Sequence, residues 1–343
     1  MSGTKAILFG PLPPPYGGVS VFMDSLKEIC LERGVEVWSY SGDGGDDRVR
    51  KVNHRRLAHL SRVSTAARII DSSHFHLEYP HPLLLNLWLL AKRRSGFTWV
   101  KICHDGSLPS RYQKMSSGER RRSAKAVAAI DELVVTSPSL LDFFRDSFGA
   151  SAKYISPLLP FIANERPRNH GGRSENVITS VGAFIPSYGF QHLADAVDRL
   201  RTEGIDLKLT LIDGAFARDE DYKRAVLKNR PWIDVHEGIP RAEVAELIAN
   251  SSVFVRPVEH ESYGLSRVEA IMSDTPVIAT NIGETRGMLT YEFGDINTLT
   301  GHLKAVLGGK IDIDQSRWVE VYRQESEANL RTYLQLITGD ANA

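Results

Sequence analysis

The sequence predicts an α/β protein of two doubly wound domains, each a parallel sheet covered by helices. Three observations carry that expectation. Strand-like and helix-like runs alternate along the whole chain, the pattern of βα units that build parallel sheets. The run 157–175, with Pro157, Pro160, Asn164, Pro167, Asn169, Gly171 and Gly172, breaks the alternation and reads as a linker. The 343 residues also exceed what a single core normally supports, roughly 250 to 300.

In the first half, Ala6 to Phe9 is a strand, followed by the loop Gly10 to Gly18 and a helix from Val19 to Arg33 with Val19, Phe22, Met23 and Leu26 on one face. Val35 to Tyr40 is a strand after the helix-ending Gly34, and Gly42 to Asn53 is a polar loop without periodicity. A basic amphipathic helix follows around Arg55 to Ile70, then a strand near His74 to Leu77, a helix near Leu83 to Lys92 and the strand Phe97 to Cys103. A helix around Gly118 to Ile130, the strand Glu132 to Val135, the helix Pro138 to Phe148 and the short strand Ala152 to Ile155 complete the half.

The second series opens with the strand Val177 to Val181 and the helix Phe190 to Arg201. Leu207 to Ile212 is a strand, Asp221 to Asn229 a helix, Ile233 to His236 a strand and Arg241 to Asn250 a helix. The strand Ser252 to Arg256 leads to Pro257, and Leu265, Val268, Ile271 and Met272 then recur at helical spacing. Pro276 to Ala279 is a strand, Asn281 to Arg286 a loop, Asn297 to Leu307 a helix, and Gln315 to Ile337 a long final helix.

Charge is balanced, with 42 Lys and Arg against 42 Asp and Glu, so nothing in the whole-chain charge points to nucleic acid. The halves differ: 22 basic against 16 acidic residues in 1–165, and 20 against 26 in 166–343. Cys30 and Cys103 have no metal-ligand spacing and read as buried free thiols of a reducing cytoplasm. The N-terminus has no long apolar signal region, and the run Leu83 to Ala91 is far short of the roughly 20 residues of a membrane span. The expected location is the cytoplasm, with a peripheral membrane contact left open to the basic first half. The basic runs at 55–68 and 120–125 otherwise read as solvated helix faces, and His74, His76 and His81 as structural or surface histidines rather than metal ligands.

The stretch His260 to Ala270 concentrates the most chemistry. Glu261 sits in a strand-to-helix turn and Glu269 two turns up the helix. The N–H groups around Tyr263, Gly264 and Leu265 form the start of that helix, a setting suited to a phosphate or sugar oxygen, and Gly264 permits close approach.

Together, Gly17-Gly18 after the first strand, Val181-Gly182 opening the second half, Glu261-Ser262-Tyr263-Gly264-Leu265 with Glu269-Ala270, and Pro276 to Gly283 resemble a family 4 retaining glycosyltransferase of the GT-B fold, glycosyl transferases group 1 type. The resemblance implies two Rossmann-like domains facing across a cleft: 1–160 for the acceptor, 161–314 for the nucleotide-sugar donor, and a helix 315–343 crossing back to the first domain. It implies that Glu261 holds donor-sugar hydroxyls and Glu269 the ribose hydroxyls, since carboxylates accept paired bonds from vicinal diols. The Gly264 and Leu265 N–H groups, with Ser262, Tyr263 and Gly182, would line the donor. Gly17 and Gly18 would close on the diphosphate. His104, at the end of a strand, resembles the family's histidine near the transferred sugar, against the alternative of a structural histidine.

The activity implied is transfer of a hexose-type sugar from a nucleoside diphosphate to an acceptor hydroxyl with retention, on a glycan or lipid-linked glycan, in polysaccharide biosynthesis. No cofactor is implied besides the donor substrate, and no metal. In one place the sequence departs from the resemblance. The family's Val-Gly-Arg-x-x-x-x-Lys-Gly is here Val181 to Gly189, with Ala183 and Tyr188 in place of the two bases that neutralise the departing diphosphate. Arg256, Arg267, Arg286 or a base of the first domain would have to supply that charge. The alternative is a non-catalytic relative that binds a nucleotide-sugar or a protein partner.

Overall fold

The computed structural model describes residues 6–52, 66–159 and 176–339. The chain divides into two compact units: Met1–Pro160 together with Glu325–Ala343, and Phe161–Gln324. Most of the expected basic helix (55–65) and most of the linker (160–175) lie outside the described residues.

The first unit is built on β1 (Ala6–Gly10), β2 (Glu36–Ser39), β3 (Arg50–Lys51), β4 (Arg68–Asp71), β5 (Thr98–Cys103), β6 (Glu132–Val135) and β7 (Lys153–Tyr154). They pair in parallel in the order β3-β2-β1-β4-β5-β6-β7. Strand side chains alternate between faces, and the core divides accordingly. Ala6, Leu8 and Ile70 join Phe22, Met23, Leu26 and Cys30 of the helix Gly18–Glu32 on one face. Ile7, Phe9 and Ile69 join Trp38, Trp88 and Trp99 on the other. Tyr333, Leu336 and Ile337, from the last helix, complete the first cluster.

Here the structure corrects several sequence expectations. The strand expected near His74 to Leu77 is a turn, and the strand is Arg68–Asp71, inside the stretch expected to be helical through Ile70. A strand buried on both faces needs consecutive apolar side chains rather than alternation, and the β-branched pair Ile69-Ile70 supplies them. Arg50–Lys51 forms a short edge strand within the expected loop, and the helix Leu108–Lys114 follows β5 where none was expected.

The second unit carries β8 (Val177–Phe184), β9 (Lys208–Arg218), β10 (Ile233–Glu237), β11 (Val253–Arg256), β12 (Val277–Thr280) and β13 (Leu289–Tyr291), the last not anticipated. The order is β10-β9-β8-β11-β12-β13, again parallel. Phe190, Leu193, Val197 and Leu200 of the helix Phe190–Thr202, with Leu299 and Leu303 of the helix Ile296–Leu307, cover one face of the sheet. The helices Arg241–Ala249 and Leu265–Met272 pack together, the latter also against β11 and β12. The 23-residue helix Ser316–Thr338 is divided between the units, through Gln324 with the second and from Glu325 with the first.

Both sheets reverse their strand order at one point, between β1 and β4 and between β8 and β11. In open α/β sheets, ligands bind beyond the carboxyl ends of the strands at such a reversal. In the second unit that position is the end of β11, where Arg256-Pro257 begins the motif loop.

Candidate active site

β11 ends in the buried Arg256, and the chain returns through residues 257–264 to start the helix Leu265–Met272. The turn into the helix is made by Gly264, at φ 90° and ψ 61°, a left-handed conformation that a side chain resists. A Cβ there would also come within 2.9 Å of Arg267 Cδ and 3.3 Å of Glu261 Cγ. Its N-cap residue, Gly264, offers no side-chain cap, and the positive end of the helix suits an electron-rich ligand atom. The helix stops where Asp274 turns left-handed (φ 60°), two residues before Pro276.

The loop is locked from β12. Thr280 Oγ1 donates to the Val258 carbonyl at 2.7 Å, and the Glu284 N–H donates to the Tyr263 carbonyl at 3.0 Å. Ser262, Tyr263 and Gly264 are buried, and Leu265 is half-buried. Arg267, completely buried, reaches back from the helix and donates to the carbonyls of Ile282 and Glu284, and more weakly to that of Thr280.

Glu261 accepts two bonds from Arg256, from Nε at 3.1 Å and Nη2 at 2.9 Å, both on Oε2. Only 14% of its side chain is exposed. Burial raises the carboxyl, but Arg256 and Arg267 beside it outweigh that and hold it below the usual glutamate range. Arg267 shows the converse: burial, reinforced by Arg256 and opposed by Glu261, pushes its guanidinium down to about 10. Arg256 also donates to the Val181 carbonyl of β8, and its guanidinium lies 5.1 Å from the centre of the Tyr188 ring. The β8 and β11 loops are therefore joined across the strand reversal. The Glu259 N–H donating to the Ser187 carbonyl at 2.8 Å adds to the joint, and a Cβ on Gly189 would collide with the Pro257 carbonyl.

Glu269 lies on the helix about one turn beyond its start, 7% exposed, and accepts from Arg241 Nη2 at 3.2 Å. Both motif glutamates thus have an arginine partner, and the structure places both carboxylates in the second unit. Gly182 serves packing: a Cβ there would meet Tyr188 Cδ1 at 2.5 Å and Phe190 Cζ at 3.0 Å. Ala183 is wholly buried.

In the first unit, Gly17 precedes the helix Gly18–Glu32, and its N–H donates to Ser20 Oγ at 2.9 Å. A Cβ on Gly18 would meet nothing within 4 Å, so this turn faces open space. His104 follows β5, its ring 4.6 Å from that of Phe22, with Nε2 buried and lacking a hydrogen-bond partner. Burial, then the charges of Lys101 and His74, push its imidazole down to about 3, so it is neutral at physiological pH. Asp105 turns away to Ser107 (2.6 Å to Oγ) and Arg111.

Sequence reasoning missed a second polar cluster at the same sheet edge. Lys101 is completely buried, donates to the Ser73 carbonyl, and lies 3.4 Å from Glu78 and 3.9 Å from Asp71. The signal was present in the lysine interrupting Trp99-Val100-Lys101-Ile102, opposite Asp71 in the strand register. His76 is structural, stacked 4.4 Å from Trp88, and burial pushes it down to about 4. The basic run on the helix Ser117–Val127 is tied to its own chain: Arg120 bonds the Gln113 and Tyr112 carbonyls, Arg122 that of Pro80, and Lys125 reaches Asn86. No helix among the described residues is long and apolar enough to cross a membrane.

Residues 162–295 match the family model of glycosyl transferases group 1. The chain is 31% identical over 168 residues to an MMP alpha-(1->4)-mannosyltransferase of Mycolicibacterium hassiacum, a match of 48% of this chain and 39% of the relative, so it spans about two fifths of that protein's length. Among solved structures, a glycosyltransferase of Rickettsia africae superposes with a TM-score of 0.69 at 13% identity over 98% of both chains. WaaG, a glycosyltransferase involved in lipopolysaccharide biosynthesis, gives 0.68 at 16% identity over 98% of this chain and all of its own. At such identities these likenesses concern the fold. The stretch that holds Arg256, Glu261 and Glu269 thus lies within the part of the chain that matches glycosyl transferases group 1, and the chain has the two-sheet GT-B fold of these glycosyltransferases.

Proposed function

We propose that the protein transfers a hexosyl group from a nucleoside diphosphate sugar to an acceptor hydroxyl, with retention at the anomeric carbon and without a metal ion. The observation that carries this reading is the ionised Glu261 beside the helix start at Gly264, at the strand reversal in the part of the chain that matches group 1. An ionised carboxylate accepts sugar hydroxyls, and a helix start accommodates an electron-rich oxygen.

In this reading Glu261 receives donor-sugar hydroxyls and Glu269 the ribose hydroxyls. The backbone around Ser262, Tyr263, Gly264 and Leu265 meets the sugar and phosphate, while Gly182 shapes the turn behind them. In this reading the Gly17-Gly18 turn meets the diphosphate and the neutral His104 the transferred sugar. The bond from the anomeric carbon to the diphosphate breaks with its electron pair leaving on the phosphate oxygen. The acceptor oxygen bonds the same face of that carbon, and its proton passes to the departing phosphate. The protein contributes positioning and charge stabilisation. The likeness to a mannosyltransferase supports a hexosyl donor, and a glycan or lipid-linked glycan is the proposed acceptor class, reached from the cytoplasm with a peripheral membrane contact through the basic first unit.

A second reading, a non-catalytic binder of a nucleotide-sugar or protein partner, is favoured by Ala183 and Tyr188, neither of which carries a positive charge. Thermal shift and sugar release with UDP-, GDP- and ADP-sugars separate the two. Stabilisation with release supports the enzyme, stabilisation without release or transfer supports the binder, and no response to any nucleotide-sugar contradicts donor binding in either form.

A further inference from the structure

We infer that Arg256 is the residue that binds the diphosphate of the donor, supplying from the end of β11 the positive charge that the turn after β8 lacks. The inference rests on the donor-binding reading above.

Three observations carry it. The first is charge. Arg256, Arg267 and Glu261 form a largely buried group of two guanidinium ions and one carboxylate, with side chains 11% and 14% exposed for the pair and Arg267 at zero. Its surplus positive charge is costly to bury unless an anion completes it. The remaining acid nearby, Glu284, is engaged by Arg286 at 2.7 Å and leaves that surplus unchanged.

The second is position. Arg256 is the last residue of β11 and bonds the Val181 carbonyl of β8, so it spans the two strands flanking the reversal. Glu261 and Val181 take three of its five N–H groups, and the Tyr188 side chain also hydrogen-bonds the guanidinium.

The third is elimination among the cations around the motif. Arg267 is enclosed under Gly264 and spends its Nη1 group on backbone carbonyls. Arg286 is held by both oxygens of Glu284 and lies against Trp318 and Tyr322. Arg241 belongs with Glu269, farther along the helix. Arg256 combines position at the sheet edge with a planar fork suited to phosphate oxygens. The Tyr188 ring supports the fork on one side.

Calorimetric titration of the full-length protein with UDP, GDP and ADP, and with the matching monophosphates, tests this. For whichever diphosphate binds, Arg256→Met is expected to weaken it by about tenfold to a hundredfold, the worth of one charge-assisted contact, while the monophosphate changes less than about twofold. Arg256→Lys recovers part of the loss. If the Met variant does not fold, the paired variant Arg256→Met/Glu261→Gln, which removes both charges, is compared with Glu261→Gln alone, and the same collapse of the preference for diphosphate is expected. A preference for diphosphate over monophosphate that survives in these variants overturns the assignment, as does an equal loss for both ligands, which would mark a structural role. Absence of binding by any diphosphate to the wild-type protein overturns the donor reading itself and this assignment with it.

Discussion

Arg256 holds one oxygen of Glu261 with two N–H groups, at 2.9 and 3.1 Å, five residues apart across the turn that leaves β11. This pair makes Glu261 both a candidate ligand and a structural anion. Replacing it by Ala leaves Arg256 and Arg267 facing each other in a buried site, and removing one partner of such a pair costs about 3–5 kcal/mol. Glu261→Ala is therefore expected to lose both transfer activity and stability in denaturant unfolding. Glu261→Gln, which keeps the shape, should lose activity with a smaller loss of stability. Equal stability of the Ala variant and the wild type would show that the two arginines do not need the carboxylate.

Gly264 has both a conformation and a contact that exclude a side chain. Gly264→Ala forces φ 90° on an L-residue and sets its Cβ 2.9 Å from Arg267 Cδ. We expect a loss of about 1–3 kcal/mol with weakened nucleotide binding, measured by urea unfolding and calorimetry. An unchanged unfolding midpoint would contradict the strain.

His76 provides a pH test confined to the first unit. Its pKa is lowered from 6.5 to about 4 by burial, so the folded state holds it neutral while the unfolded chain takes up a proton below 6.5. Stability from this residue is therefore full above that value and is lost as pH falls from 6.5 toward 4, by on the order of 3 kcal/mol. In His76→Phe the slope of stability between these pH values should flatten, measured by urea unfolding across the range. A slope equal to that of the wild type would contradict the assignment.

The end of the chain is part of the first unit's core. Tyr333, Leu336 and Ile337 are buried there, Ser326 Oγ accepts the Leu159 N–H at 2.9 Å, and Asn329 Nδ2 donates to Ser156 Oγ at 2.6 Å. At about 1.5–3 kcal/mol for each buried apolar side chain, truncation after Gln324 should remove much or all of the first unit's stability. A melting curve unchanged by truncation would contradict this packing.

The parallel sheets were legible because alternating β- and α-type runs leave few other architectures, and Ser252 to Arg256 followed by Leu265, Val268 and Ile271 showed that a helix follows the motif turn, which the structure bounds at Leu265–Met272. Elements defined by tertiary contact were not legible. Arg50–Lys51 is a strand because Trp38 and Ser39 lie beside it, and no local pattern marks a two-residue edge. Ile69-Ile70 continued an apparent helical period, and burial on both faces of a sheet decided otherwise. In the site, the spacing of Glu261 and Glu269 could be read directly, whereas their arginine partners could not. Arg256 and Arg267 could be named from the sequence as cations near the motif, but not that the return of the loop through Gly264 buries both beside Glu261.

The central claim is that the second unit holds a nucleoside diphosphate sugar through Glu261. The most direct measurement is transfer from each of UDP-, GDP- and ADP-sugars to glycan acceptors by the wild type and Glu261→Gln, with product anomers assigned by NMR. At least one donor is expected to be used with its anomeric configuration retained, and Glu261→Gln to lose most of that turnover. Full turnover in the variant, an inverted product, or no use or binding of any donor by the wild type would contradict it.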